Sequence, residues 1–197
     1  MANIKISALP AATTPLAGSE LFEVVQSGAS RSVSASSIAA TRAHCIAYNS
    51  ADVTFAANTP TVIEFDTAGI EVGITVENNG SGDPTRITFA QAGTYEISVH
   101  AQFDNSDSSN RIADIWFRLN GTDIPFSASE ISVPKVADGG TTFFQVQGIT
   151  SVTAGQYIEV VVAVSNVAVT LDYTAAITSP YNRPSIPSAL IVAQRIA

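Results

Sequence analysis

The chain has 197 residues, of which 46% are hydrophobic and 13% charged, so it is too apolar to be disordered and long enough for one good core. Its net charge of -8, with nine Lys+Arg in no basic cluster, disfavours nucleic acid as a partner, because phosphate groups would be repelled. No membrane partner is expected either, since no apolar run reaches the roughly 18 residues of a spanning helix.

Residues 1–43 are a small, turn-rich segment. Two short strands are predicted at LFEVVQ (21–26) and SRSVSA (30–35), joined by Ser27-Gly28-Ala29 as a hairpin. Ser34 or Ser36 could then cap a short helix through SSIAATRA. A segment of this size with few aromatic residues cannot build its own core. We therefore expect it to become ordered by docking on another protein.

From His44 onwards the hydrophobic residues alternate with polar ones, as in half-buried strands. The longest predicted strand, GTYEISVHAQFDN (93–105), points Tyr95, Ile97, Val99, Ala101 and Phe103 to one face. Further strands are predicted at 44–48, 53–57, 61–65, 74–78, 86–90, 112–120, 127–133, 141–149, 157–164, 169–175 and 189–196. Turn signals such as Asn120-Gly121 separate them. Ten or more antiparallel strands without a long helix predict an all-β sandwich or jelly roll over residues 44–197.

Several of these strands are apolar on both faces. YIEVVVAV carries Tyr157, Val161 and Ala163 opposite its row of Ile and Val, Trp116 stands opposite an apolar row, and Phe143 adjoins Phe144. Such strands are normally covered on both faces, and a sandwich covers only one. We therefore predict a subunit interface at Trp116, Phe143, Tyr157, Val161 and Ala163. The alternative is that long loops of the same chain cover these residues.

Three stretches of residues 44–197 resemble the complement/tumour-necrosis-factor-type globular head. RITFAQAGTYEISVHAQF resembles the strand pair in which Gly-x-Tyr opens a long strand, SVTAGQYIEVVV a later Ala-Gly-Asp-x-Val strand, and PSALIVAQRI the closing strand. Gln156 departs from the acidic residue common in that family. The resemblance implies a ten-stranded antiparallel jelly roll that assembles as a compact homotrimer.

The N-terminal stretch KISALPAATTPLAGSELFEVVQSGASRSVSASSIAA is similar to a short module of tailed-bacteriophage structural proteins. The matching positions are Ile6, Ser7, Leu9, Pro10, Gly18, Glu20, Leu21, Val25, Gln26 and Gly28. The resemblance implies a virion anchor formed by Ile6, Leu9, Pro10, Leu21, Val25 and Gln26. It also implies a place in the virion, assembly in the host cytoplasm, and other virion proteins (the major capsid protein, or tail and portal components) as partners. The start of the chain lacks the charged and apolar regions of a secretion signal, in keeping with that expectation.

Little in the sequence points to catalysis, and we predict a protein that is not an enzyme and uses no cofactor. Neither His44 nor His100 accompanies a nucleophile motif, and the acidic residues are scattered rather than paired. The loop at 104–110 is rich in oxygen ligands, so calcium is one interpretation, but it lacks the glycine and final glutamate of a defined calcium loop. A solvated hairpin tip is the other. The lone Cys45 is expected to be a small buried apolar residue.

Two functions remain open at this point. One is a trimeric capsid-decorating or cement protein, and the other is a short tail fibre that recognises a bacterial surface glycan or protein. A fibre would need a spacer, whereas residue 43 leads almost directly into the first strand, which favours decoration. Recognition would favour aromatic residues at the distal loops, for which Phe126 and Tyr181 are the candidates.

Overall fold

The structure, a computed structural model, describes residues 21–34 and 42–197. The chain divides into two compact units, Met1–Thr41 and Arg42–Ala197.

The described part of the first unit is a hairpin. Strand β1 (Leu21–Gln26) pairs antiparallel with β2 (Ala29–Ser34). Ser27 and Gly28 form the turn with φ values of 53° and 77°, the positive pair typical of the two-residue turns that match the twist of a hairpin. The predicted hairpin is confirmed. The helix predicted after it lies, up to residue 41, outside the described residues.

Residues 42–197 form an all-β unit whose one helical element is a single 3₁₀ turn at Val136–Asp138. Its strands, in chain order, are β3 (His44–Asn49), β4 (Val53–Thr54), β5 (Thr61–Val62), β6 (Thr67–Val72), β7 (Ile74–Asn78), β8 (Pro84–Phe89), β9 (Gly93–Asn105), β10 (Arg111–Leu119), β11 (Thr122–Asp123), β12 (Ser129–Val133), β13 (Thr142–Val152), β14 (Tyr157–Val164), β15 (Val169–Leu171) and β16 (Ala189–Arg195).

These strands form two antiparallel sheets. The first sheet has the order β11-β10-β14-β8-β7, with β12 also paired to β10 and β5 to β14. The second sheet has the order β4-β15-β9-β16-β3-β6, with β13 on the free side of β9. Strand β6 was not predicted, because it is an edge strand with a glycine and five exposed residues and therefore carries no alternating pattern. A bulge in the pairing of β3 with β6 between Ile46 and Ala47 further disturbs the pattern.

The inward rows of both sheets meet in one hydrophobic core. On β9 the predicted row is confirmed, since Tyr95, Ile97, Val99, Ala101 and Phe103 are each at most 1% exposed. The Tyr95 ring packs with its centroid 4.4 Å from that of Phe89, and its hydroxyl donates a 2.9 Å hydrogen bond to the Gln91 carbonyl. Aromatic packing and a satisfied hydroxyl together allow a tyrosine to be fully buried.

The first and last strands of the second unit bring its start and end together. The Arg195 amide donates to the Ala43 carbonyl over 2.8 Å, and the Thr94 amide donates to the Ala197 carbonyl over 2.9 Å. We call this the near end. Strand β3 runs from it towards Ser50, so the loop at Ser50 and the segment 172–188 lie at the opposite, far end.

Cys45 lies in the core, as expected, at 2% exposure. Burial and the neighbouring Glu71 carboxylate raise the pKa of its thiol to about 11. Because the thiolate is the reactive form, this cysteine is chemically quiet in the folded protein.

Candidate interaction surfaces

The five residues predicted to form the subunit interface do not share one face. Trp116, Tyr157, Val161 and Ala163 lie on the outward face of the first sheet, where Trp116 and Val161 are direct cross-strand neighbours. Phe143 lies on the outward face of the second sheet and is 61% exposed. The two outward faces point away from the shared core, so these residues do not make one patch.

On the first sheet Val161 is buried by its own chain, whereas Trp116, Tyr157 and Ala163 are half-buried. Val161 is 0% exposed, so it cannot contact a second subunit, and its apolar side chain is not evidence for an interface. The Trp116 indole donates a 2.8 Å hydrogen bond to Asp123, and the Arg118 guanidinium lies 5.9 Å from its ring centroid. The Arg86 guanidinium lies 4.4 Å from the Tyr157 ring centroid. Stacked arginines cover aromatic rings without a second subunit.

Charged side chains make up much of the rest of this face. Arg86 approaches the nearly buried Glu159 carboxylate at 3.8 Å. Asp114 stands directly opposite Glu130 across β10 and β12, and its pKa is raised by burial and by that like charge. We call this outward surface of the first sheet the charged face.

The second sheet presents a different surface. Its outward rows include five apolar side chains that we call the apolar face, namely Ile46, Ile70, Phe143, Leu190 and Val192. The outward row of β9 is polar, and it separates Phe143 on β13 from the other four residues. Ile46 stands between Val192 and Ile70 in register, and Leu190 stands beside His100. Ile70 is 54% exposed, while Leu190 and Val192 are half-buried.

Sequence reasoning missed four of these five residues. The signal was present in ALIVAQRI, where Leu190 and Val192 form a second apolar row opposite the buried Ile191. Ile46 and Ile70 can be assigned to the same face only when the strand order β6-β3-β16-β9 is known.

Both histidines make contacts within the β-unit. The His100 ring meets the Phe143 ring edge-on, with centroids 5.5 Å apart and planes at 89°. The Nδ1 atom of His44 lies 2.7 Å from the Arg42 carbonyl oxygen, a hydrogen bond in the tautomer protonated there. Across residues 21–34 and 42–197 no cluster of three or more His, Cys, Asp or Glu side chains is arranged to hold a metal ion.

The loop at 104–110 uses its oxygen atoms within the protein. The Asn105 side chain is fully buried: its Oδ1 accepts a 2.9 Å hydrogen bond from the Asp107 amide, and its Nδ2 donates to the carbonyls of Ser109, Val133 and Pro134. The Asp107 carboxylate accepts from Arg111 over 2.8 Å, and this hydrogen bond lowers its pKa. These contacts match the interpretation as a hairpin tip.

The two aromatic residues predicted at the distal end lie in different places. Phe126 is fully exposed, with φ of 63°, and borders a groove with Gly148 and Ile149. Ile149 pairs with Glu96, so Phe126 lies towards the near end. Tyr181, 63% exposed, lies in segment 172–188 at the far end. Phe126 and Tyr181 therefore lie at opposite ends of the β-unit, because β10 runs back towards the near end before the turn that carries Phe126.

Of the predicted anchor residues, Leu21, Val25 and Gln26 belong to β1, and Leu21 is 70% exposed. Ile6, Leu9 and Pro10 lie outside the described residues. In the described part of the chain, no helix is both long and apolar enough to cross a membrane.

Comparison with known proteins gave no relative: no protein-family model matches the chain, and no curated protein matches its sequence.

Proposed function

We propose that this chain is a homotrimeric structural protein of a tailed-bacteriophage particle, which decorates or cements the capsid and is anchored by residues 1–43. The observation that carries the proposal is the apolar face, found in the same chain as an N-terminal stretch that resembles a virion-anchor module. The partners would be two further copies of the chain and the major capsid protein.

A ten-stranded jelly roll is the fold we infer for residues 44–197. Two rows of five strands support it, β7-β8-β14-β10-β12 in the first sheet and β6-β3-β16-β9-β13 in the second. Along these ten strands the chain changes sheets six times: from β6 to β7, β8 to β9, β9 to β10, β12 to β13, β13 to β14 and β14 to β16. Repeated crossing of this kind, with antiparallel neighbours, is typical of jelly rolls.

The apolar face is where we place the contact between subunits. Exposed apolar side chains on the face of a β-protein often mark an interface, and a closed ring of three copies would bring this face against its neighbours. Phe143 is the one residue of the predicted interface that lies on this face; Trp116, Tyr157 and Ala163 are assigned to the charged face instead.

Recognition of a bacterial surface molecule by a short tail fibre is the second candidate. It is favoured by the exposed Tyr181 and by a tyrosine-lined depression, both at the far end of the β-unit, because exposed aromatic side chains suit the binding of a surface molecule. Both functions can use the same scaffold, so the location on the particle decides between them.

Imaging of assembled phage particles that carry the labelled protein tests the proposal. We expect label over the capsid shell, and loss of that label when residues 1–43 are deleted, while the truncated protein stays folded and trimeric. Label confined to the tail would favour the fibre. A truncated protein that still joins particles would contradict the anchor.

A further inference from the structure

A depression of about 250 Å³ opens at the far end of the second unit, between β3, β6 and segment 172–188. Its lining consists of uncharged residues: Tyr48, Ser50, Thr67, Tyr173, Ser185 and Pro187. Two aromatic rings together with five hydroxyl groups, two of them on the tyrosines themselves, form a surface that has both apolar and hydrogen-bonding parts.

Asp66 fixes the direction of two of the hydroxyl groups. Its carboxylate accepts hydrogen bonds from the Ser50 hydroxyl over 2.8 Å and from the Thr67 hydroxyl over 2.9 Å. It also accepts from the Ser50 amide over 3.0 Å, which holds the loop in place. Because both hydroxyl hydrogens are committed to Asp66, the two oxygen atoms are left as hydrogen-bond acceptors.

The aromatic walls are also held in place. A Cβ atom on Gly69 would lie 2.9 Å from the Tyr48 ring, so the glycine leaves the space that this ring occupies. The Tyr173 amide donates a 2.7 Å hydrogen bond to Asp52, which fixes the backbone that carries the second ring.

We propose that this depression binds one neutral hexose unit of a glycan. The apolar C–H face of a pyranose fits against aromatic rings, and its hydroxyl groups are donors suited to the Ser50 and Thr67 oxygens. The uncharged lining and the net charge of -8 disfavour anionic sugars. Asp66 acts as a positioning residue, since it works through the two hydroxyl groups.

The proposal adds a ligand site to the structural role and does not require the anchor. Tyr48 is the cross-strand partner of Leu190, so the depression borders the proposed subunit contact, and its test is a binding measurement that is separate from the oligomeric state. Saturation-transfer NMR of the full chain with glucose, galactose, mannose and N-acetylglucosamine tests it. We expect at least one of these sugars to bind with millimolar affinity. Tyr173→Ala should weaken that binding about tenfold, because one aromatic wall is lost. Tyr181→Ala, which removes an exposed tyrosine outside the depression, should leave it unchanged.

Thr67→Val provides a second test, because valine keeps the shape of an exposed threonine and removes the acceptor oxygen. We expect several-fold weaker binding at an unchanged melting temperature. For Asp66→Asn we expect reduced discrimination between the bound sugar and its deoxy analogues, as the hydroxyl groups lose their fixed direction. Absence of binding to all four sugars, or binding unaffected by both Tyr173→Ala and Thr67→Val, would overturn the site, whatever the position of the protein on particles.

Discussion

The charged face and the apolar face are the outward surfaces of two sheets that share one core, yet they are covered in different ways. On the charged face the large rings of Trp116 and Tyr157 lie beneath arginine side chains. On the apolar face Ile46, Leu190 and Val192 stand in adjacent rows, and the exposed Phe143 has the His100 ring against its edge.

The difference between the two faces limits what can be inferred from a strand that is apolar on both sides. Such a strand predicts that both faces are covered, but it does not say what covers them. Long amphipathic side chains are as effective a cover as a second subunit, because they contribute aliphatic surface and keep their charge in water. On the second sheet such cover is confined to polar side chains such as Glu96, Gln147 and Gln194, which hydrogen-bond to one another, and Ile70 and Phe143 stay more than half exposed.

The largest effect is expected from a charge placed in the centre of the apolar face. We predict that Leu190→Arg converts a particle of three times 20.5 kDa into a folded monomer, because an arginine there would be buried without a partner. Light scattering coupled to size exclusion measures the mass. Thr88→Arg, at a half-buried outward position of the first sheet, is the matched control and should stay trimeric. A trimeric Leu190→Arg variant, or a wild-type monomer at micromolar concentration, would refute the contact.

A smaller effect, on stability rather than assembly, is expected when the Arg86 side chain that covers part of the charged face is removed. Arg86→Ala exposes the Tyr157 ring and leaves Glu159, 8% exposed, without its neighbouring cation. We expect the free energy of unfolding to fall by about 2 kcal/mol, as for other buried charges that lose a partner. Guanidinium unfolding measures it. Addition of Glu159→Gln should recover most of the loss, whereas Lys135→Ala, which breaks an exposed pair with Asp138, should change it little.

The smallest effect concerns the pH response of the one tryptophan. Hydrogen bonds from Arg118 and Trp116 lower the pKa of Asp123 below the ordinary aspartate value of 3.8. The carboxylate is therefore favoured in the folded state, and its contribution is complete above that value and lost as the pH falls through the lowered pKa. We expect Trp116 fluorescence to change in that acidic window and to become independent of pH there in Asp123→Asn. A midpoint at or above 3.8 would contradict the contact.

Much of the backbone could be predicted because its signals are local. The alternation in 93–105 and the turn residues Ser27-Gly28 depend on neighbours in the chain and were identified correctly. The edge strand β6 lacks such a signal, because few of its side chains enter the core.

The surfaces were harder to predict because they depend on strand order. Arg86 reaches Tyr157, and Tyr48 and Tyr173 line one depression, only after distant segments have been brought together. The position of Phe126 depended in the same way on the direction of β10. Periodicity assigns a residue to one side of a strand, whereas the neighbours on that side are fixed by the topology of the sheets.

The backbone contact between Arg195 and Ala43 has a practical consequence for engineering. A short linker could join these two ends of the β-unit, and new termini could be opened beside Tyr181 in the opposite loop. Such a circular permutant would keep every strand pair of the two sheets. A peptide displayed on it would emerge at the far end instead of next to Arg42.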